Sequence, residues 1–345
     1  MNVPPAYAPD HRMTMKAVCY RAYGPPEVLK VEDVETPVVG AGDVLIKVKA
    51  VSVNFGDLIA RRFGKVRPSE FNMPWLFWFL ARFTFGWSKP KKRVLGNEFA
   101  GEVVAVGTDV QRFKAGDAVF AYTKESMGGY ADYVSMPANG MVAMKPVNLS
   151  YEQAAAVPYG ALSAWPLLSK TTLGPHQRVL VIGASGGIGS AAVQLARNHF
   201  GAQVTGVCGT SSVEYVKQLG ADQVIDHRKE DYAAGNATYD LIFDVLGKGS
   251  FGRLKPLLTP KGVYFSVSFK MKKVLQMIWT GITGGKRVRC ALATQGPKDI
   301  ELIREMVERG KLIPVIDKSY PLEEAAAAHR YAESGNRKGS IVLVP

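Results

Sequence analysis

The stretch Val179-Leu180-Val181-Ile182-Gly183-Ala184-Ser185-Gly186-Gly187-Ile188-Gly189 decides the fold. It opens as a continuous apolar run, which a parallel strand covered on both faces requires. It then breaks into glycines and passes into a helical pattern over Ser190 to Asn198. Strand, glycine turn and helix in that order predict a nucleotide-binding turn. Gly183 makes the tight bend, Gly186 and Gly187 leave bare backbone for a pyrophosphate to approach, and Gly189 lets helix and strand pack closely. The following helix aims its unpaired N–H groups and the positive end of its dipole at the phosphates. Ala184 occupies the first glycine position of the usual fingerprint, so the reading leans on context as well.

Downstream, Gln203 to Cys208 reads as a second strand, Gln223 to Ile225 as a short third, Asp240 to Val245 as a fourth, Gly262 to Val267 as a fifth and Val288 to Ala293 as a sixth. Helical patterns fall between most of them, which predicts a doubly wound α/β sheet. An NAD site usually places Asp or Glu about 20 residues beyond the glycine turn to take the ribose hydroxyls. Here that stretch is Val207-Cys208-Gly209-Thr210-Ser211-Ser212, without a carboxylate, and His227 and Arg228 follow the third strand. This pattern favours NADPH. Thr210 and Ser211 read equally well as caps of the helix ahead of them. The expected cofactor contacts are Ala184, Ser185, Gly186, Gly187, Ile188 and Gly189 at the turn and Cys208, Thr210, Ser211 and His227 beyond the second strand. Val245 and Val267, which end the fourth and fifth strands, complete the set.

The chain has 345 residues, 47% hydrophobic and 21% charged, enough for two domains with cores of their own. Cys19, Cys208 and Cys290 lie far apart and suit buried thiols in a reducing, cytoplasmic compartment, not a disulfide framework or a zinc cluster. A net charge of +13 admits anionic cofactors, acidic membrane surfaces or nucleic acid, and no nucleic-acid-binding module is recognisable. Residues 1–14 carry three prolines and no hydrophobic core for secretion, and read as a flexible extension. Over 15–148, short strands such as Val44 to Val53, Gly101 to Val106, Ala118 to Tyr122 and Ala131 to Val134 predict a compact β domain. Tyr151 to Leu168 reads as a helix leading into a nucleotide-binding unit over 149–296. The tail, 297–345, holds an amphipathic helix over Pro297 to Arg309, a strand over Ile313 to Tyr320, a helix over Pro321 to Ser334 and a last strand over Ser340 to Val344. Its β texture predicts a return to the first domain.

Further motifs accompany these in order: Lys16-Ala17-Val18, Tyr23-Gly24-Pro25-Pro26-Glu27-Val28-Leu29, Val51-Ser52-Val53-Asn54-Phe55-Gly56-Asp57, Gly96-Asn97-Glu98-Phe99-Ala100-Gly101, Gly129-Tyr130-Ala131-Asp132-Tyr133-Val134 and Gly339-Ser340-Ile341-Val342. With the glycine turn they resemble the medium-chain dehydrogenase/reductase superfamily, and within it the zinc-independent quinone oxidoreductase and zeta-crystallin-like branch. The resemblance implies a GroES-like β-barrel catalytic domain completed by the tail, a Rossmann domain, a cleft between them and a homodimer. Zinc-dependent relatives place Cys, His and Cys where this chain has Asn54, Asn97 and Tyr159, so no metal is expected. It further implies that Asn54, Asp57 and Tyr159 line the catalytic site, with Ser163 near the nicotinamide. Capping or pairing is the competing reading for Asn54 and Asp57, and a core aromatic for Tyr159. Quinone reductases of the family often carry a Tyr two residues beyond the aspartate, where this chain has Ile59.

Without a Lewis acid to polarise an alcohol, the chemistry left is hydride delivery to an already electrophilic acceptor, a quinone or α,β-unsaturated carbonyl. A zinc-free alcohol or aldehyde dehydrogenase, and a nucleotide-binding membrane-associated adaptor without turnover, are the alternatives. Phe71 to Trp87 packs eight aromatics ahead of Lys89-Pro90-Lys91-Lys92-Arg93. It is too short to span a bilayer and reads either as a lid or subunit contact over an apolar acceptor pocket, or as a peripheral membrane contact. Met271 to Arg289 is a second apolar and basic stretch, expected near the nicotinamide end of the cleft.

Overall fold

The computed structural model describes residues 13–345. The extension expected over 1–14 lies, up to residue 12, outside the described residues, and Thr14 already belongs to a strand. The first unit contains β1 (Thr14–Cys19), β2 (Lys30–Glu35), β3 (Asp43–Val53), α1 (Phe55–Arg61), α2 (Trp75–Phe85), β4 (Glu98–Val106), β5 (Ala118–Tyr122), β6 (Tyr133–Pro137) and β7 (Val142–Met144). Next come α3 (Tyr151–Ala155), α4 (Pro158–Leu168), β8 (Arg178–Ile182), α5 (Gly187–Gln194), β9 (Gln203–Cys208), α6 (Val213–Gln218), β10 (Gln223–Asp226), β11 (Tyr239–Asp244), α7 (Phe251–Leu254), β12 (Leu258–Ser266), α8 (Met271–Thr283) and β13 (Arg287–Cys290). The tail holds α9 (Pro297–Glu308), β14 (Ile316–Pro321), α10 (Ala325–Glu333) and β15 (Ser340–Val344).

The strands from β8 to β13 form one parallel sheet in the order β10-β9-β8-β11-β12-β13. The chain reverses its direction of winding between β8 and β11, and a crevice opens there at the carboxyl ends of the strands. β8 is buried from Val179 onward because helices cover both sheet faces. The barrel sheet runs β14-β15-β3-β4-β5-β7, with β6 pairing β3. The tail returns to it: β15 pairs β3 antiparallel, with Val342 opposite Ser52.

The single helix expected over Tyr151 to Leu168 is two helices. Pro158 has no N–H to donate into a preceding turn, so the chain breaks before it and α4 starts with Pro158 as its first residue. The break places Tyr159 at the opening of a helix. α4 then joins the two units: Ala161, Leu162 and Leu167 pack in one buried cluster with Ala50, Ala100 and Phe120 of the barrel and Val179 and Val181 of the sheet. α9 contributes Ile300, Ile303, Met306 and Val307 to the same cluster.

The glycine turn has its expected shape. Gly183 has φ +85°, in the left-handed region, and a Cβ on Gly189 would lie 2.0 Å from the Gly183 carbonyl oxygen. Gly189→Ala forces helix and strand apart; a loss of about 1–3 kcal/mol in urea unfolding is expected, with weakened dinucleotide binding.

Candidate active site and nucleotide cleft

At the end of β3 the chain turns into α1 through Asn54, whose side-chain oxygen accepts from Gly56 N (2.8 Å) while its own N–H donates to Asp57 Oδ2 (3.0 Å). Such a box satisfies N–H groups that the helix leaves open. Asn54 Nδ2 donates to Asn97 Oδ1 (2.6 Å) and to Glu98 Oε1 (3.1 Å). The other Glu98 oxygen accepts from Tyr159 N (2.7 Å) at the opening of α4, where the positive end of a helix dipole favours a carboxylate. Ser52 also hydrogen-bonds Glu98. One side chain thus ties the loop between β3 and α1 to the helix that borders the glycine turn.

The expectation that Asp57 lines the cleft is corrected. It is wholly buried, with Oδ1 accepting from Gly96 N (2.9 Å), Oδ2 from Asn54 N, and Tyr130 as a further donor. Its charge holds the loop from behind. Asn54 also differs from expectation, because both hydrogens of its amide are spent on Asn97 and Glu98, and it positions the loop without a hydrogen to offer a ligand. Behind Asp57 the network continues. Tyr130 Oη lies 2.9 Å from His329 Nε2, Arg61 Nη1 lies 3.0 Å from His329 Nδ1, and Arg61 Nη2 pairs with Glu333 at 2.5 Å. A guanidinium can only donate, so His329 accepts at Nδ1 and its Nε2–H faces Tyr130. Burial and then the Arg61 charge push His329 down to about 3, keeping the ring neutral.

Tyr159 is half-buried, and the phenol makes no hydrogen bond with other described residues. Burial, then the charge of Glu98, raises its pKa and keeps the hydroxyl protonated. Its ring lies beside Gly187, 3.6 Å from where a Cβ would stand, and packs edge-on to Tyr122 at 6.5 Å. Ser163, one turn further along α4, shares its face.

At the turn, Gly183 N and Ala184 N both donate to Val207 O of β9 (3.1 and 3.0 Å). Ala184 is buried behind the bend, so its side chain backs the turn. Ser185, Gly186 and Ile188 are partly exposed and Gly187 exposed. A Cβ at Gly186 would meet only Gly183 O at 3.5 Å and Arg337 Nη2 at 3.9 Å, so room lies open over the bend with a guanidinium at its border. An anionic dinucleotide fits this setting. Arg337 escaped the sequence reading, and so did Tyr215, which hydrogen-bonds Ser190 and feels the Arg337 charge. Val245 N donates to Ile182 O and Val267 N to Asp244 O, which sets both valines at the carboxyl ends of their strands.

Beyond β9, Cys208 is buried, and burial pushes its thiol up to about 11. Gly209 is flanked by Arg228 Nε and His227 Nε2, 3.5 and 3.7 Å from its Cβ position. Ser211 is exposed, whereas Thr210 hydrogen-bonds Asp226. The end of β9, where the sequence showed no carboxylate, therefore holds one from the neighbouring strand, Asp226. It faces Cys208 across the ladder, accepts Arg228 N at 3.0 Å and has Lys229 Nζ at 4.0 Å.

The places where the fold family implies zinc ligands do converge, but on two amides and a phenol. Neither thiolate nor imidazole is among them, and Glu98 is committed to hydrogen bonds; this donor set does not fit zinc.

Two family models match the chain, an alcohol dehydrogenase GroES-like domain over residues 40–146 and a zinc-binding dehydrogenase over 219–343. A 2-methylene-furan-3-one reductase of Solanum lycopersicum is 30% identical over 96% of this chain and 79% of its own length. The chloroplastic quinone-oxidoreductase QR1 of Triphysaria versicolor is 31% identical over 96% and 98%. The structure of a quinone oxidoreductase from Coxiella burnetii superposes with a TM-score of 0.81 at 28% identity, covering 96% of this chain and all of that one. The chain belongs to the medium-chain dehydrogenase/reductase superfamily, in its zinc-independent quinone oxidoreductase branch, and is an oxidoreductase using a nicotinamide cofactor.

Burial, against the donors facing them, pushes Asp57 and Glu98 each up to about 7. In the unfolded chain these groups release their protons near pH 4, so the stability they contribute is full below that and is lost as the pH rises toward 7. Glu98→Gln lacks one of the titrations. Urea unfolding between pH 4.5 and 7.5 is expected to show the balance of stability shifting from wild type toward this variant as the pH is raised.

Proposed function

We propose that the chain is an NADPH-dependent, zinc-independent reductase of quinones and α,β-unsaturated carbonyls. The observation that carries the reading is the hydrogen-bonded set Asn54–Asn97–Glu98–Tyr159 N, standing where zinc-dependent relatives place metal ligands. It leaves a phenol hydroxyl as the free donor beside the open glycine turn. A reduced nicotinamide, when bound, supplies a hydride. Gly186, Gly187 and the N–H groups opening α5 hold the pyrophosphate, with Arg337 beside them. Val245, Val267 and Ser163 border the nicotinamide. Tyr159 donates a hydrogen bond to the acceptor oxygen and, as negative charge grows there, passes its proton. Asn54 and Asp57 are positioning residues in this scheme. Conjugation to the carbonyl makes the β-carbon electrophilic without a metal, which matches the chemistry for which the two relatives above are named.

The choice of NADPH rests on Arg228 and His227 beside Gly209, with Arg337 across the turn; Asp226, held by Thr210 and backbone, is the countervailing acid. β13 is an edge strand that pairs with β12 alone among the described strands, which supports the expected homodimer.

The test is NADPH oxidation against a panel of quinones, alkenals and cyclic enones. Turnover of at least one class is expected; oxidation of simple alcohols with NADP+ and no enone or quinone reduction overturns the reading, and tight binding without turnover supports the adaptor. Tyr159→Phe is expected to lower kcat about 100-fold or more with binding of NADPH unchanged. NADPH is expected to exceed NADH in kcat/KM by at least tenfold, about 1.4 kcal/mol, and Arg228→Ala to erase most of that margin without harming NADH.

A further inference from the structure

The charge of this chain is not spread evenly. No Asp or Glu occurs between Glu70 and Glu98 or between Asp244 and Asp299. Those two stretches hold 16 of the 43 Lys and Arg and none of the 30 acids, so the rest of the chain, with 27 bases to 30 acids, is slightly acidic. The whole positive excess therefore sits in the segments that contain α2 and α8.

Each of these helices is fastened on one face and bare on the other. α2 is held by Trp78, whose indole N–H donates to Val66 O (2.9 Å), and by buried Arg82, which lies 4.9 Å from the Trp78 ring and donates to Gly64 O and Trp87 O (3.1 Å each). Its outer face shows Trp75, Leu76, Phe79, Leu80 and Phe83 to solvent, at helical spacing, with Trp75 67% exposed. Phe79, Phe83 and exposed Trp87 pack edge-on into a plate, their ring centres 5.3–5.9 Å apart. This face of Phe71 to Trp87 is open to solvent. α8 is held by buried Lys273, donating to Gly249 O (2.6 Å) and Tyr264 Oη (3.0 Å), and by Thr280, which accepts from Val288 N (3.0 Å). Its outer face shows Met271, Leu275, Ile278, Trp279 and Ile282, the last 81% exposed.

The two helices start from one junction. Asn72 O accepts from Phe269 N (2.8 Å) and Ser268 Oγ (3.2 Å), and Lys270 Nζ reaches Ser69 O (3.1 Å), immediately after Val267 at the cleft. Lys89, Lys91 and Arg93 are exposed beyond α2, and Lys272 and Arg287 on and beyond α8. No helix among the described residues is long and apolar enough to cross a membrane.

We propose that the outer faces of α2 and α8 are a docking surface for an anionic lipid bilayer, lying in the headgroup region beside the mouth of the cleft. Tryptophan and phenylalanine within basic stretches of chain that contain no acid suit that interface. A second copy of the chain does not, since a two-fold contact sets the same patch against itself and brings like charge to like charge. The surface is independent of turnover, and an enzyme seated there draws oily acceptors from the lipid phase.

The test is flotation of the full chain with phosphatidylcholine vesicles, with and without one-third phosphatidylglycerol, at 0.1 M and 0.5 M NaCl. Binding is expected with the anionic vesicles at low salt, at least tenfold weaker with phosphatidylcholine alone and weaker again in high salt. Trp75→Ser and Ile282→Ser, singly, are expected to weaken vesicle binding at least fivefold while leaving turnover of a water-soluble acceptor unchanged. Absence of binding to anionic vesicles overturns the proposal. So does equal binding by the variants, or a wild-type oligomer in light scattering that these substitutions dissolve.

Discussion

The Glu98 carboxylate holds together the two parts of this molecule that the chemistry needs side by side. One oxygen takes the Asn54 amide from the barrel, the other takes Tyr159 N from α4, and the side chain is buried where water offers neither group an alternative. Leaving either donor unsatisfied in such a place costs about 1–3 kcal/mol, more than a typical exposed ion pair contributes. The carboxylate is itself costly to bury, and three donors together with the opening of a helix offset only part of that cost, which is why its pKa stands at about 7. Because α4 also packs against the nucleotide-binding sheet, the bond sets the position of the Tyr159 phenol relative to the glycine turn.

Behind it, Asp57 performs the same service one layer deeper. Its charge is met by two backbone N–H groups and Tyr130, Tyr130 by His329, and His329 by Arg61, which pairs at the surface with Glu333. The chain of contacts joins α1 to α10, so α10 buttresses the loop that opens α1. A neutral His329 is the arrangement this layer requires, since a second buried cation against Arg61 is disfavoured.

Local patterns in the sequence were enough for much of this. The glycine turn, the strands that follow it and the last strand stand close to where the alternation of apolar and turn residues put them, because a buried parallel strand and a tight bend leave few other choices of residue. What the sequence hid was contact between distant segments. Arg337 reaches the turn from beyond α10, and Asp226 reaches Thr210 from the neighbouring strand; no spacing rule links residues that meet only through sheet order. Asn54 and Asp57 were legible as capping residues and as site residues alike, and only their hydrogen-bond partners separate the two roles. The break before Pro158 was visible in the sequence, although the apolar pattern continued across it.

The most direct measurement follows deuterium from the transferable C4 position of labelled NADPH into a cyclic enone, using protein dialysed against a chelator. The account requires one deuterium on the product at the carbon β to the carbonyl, with undiminished rate. Deuterium on the carbonyl carbon, or activity that returns only when zinc is added, contradicts it.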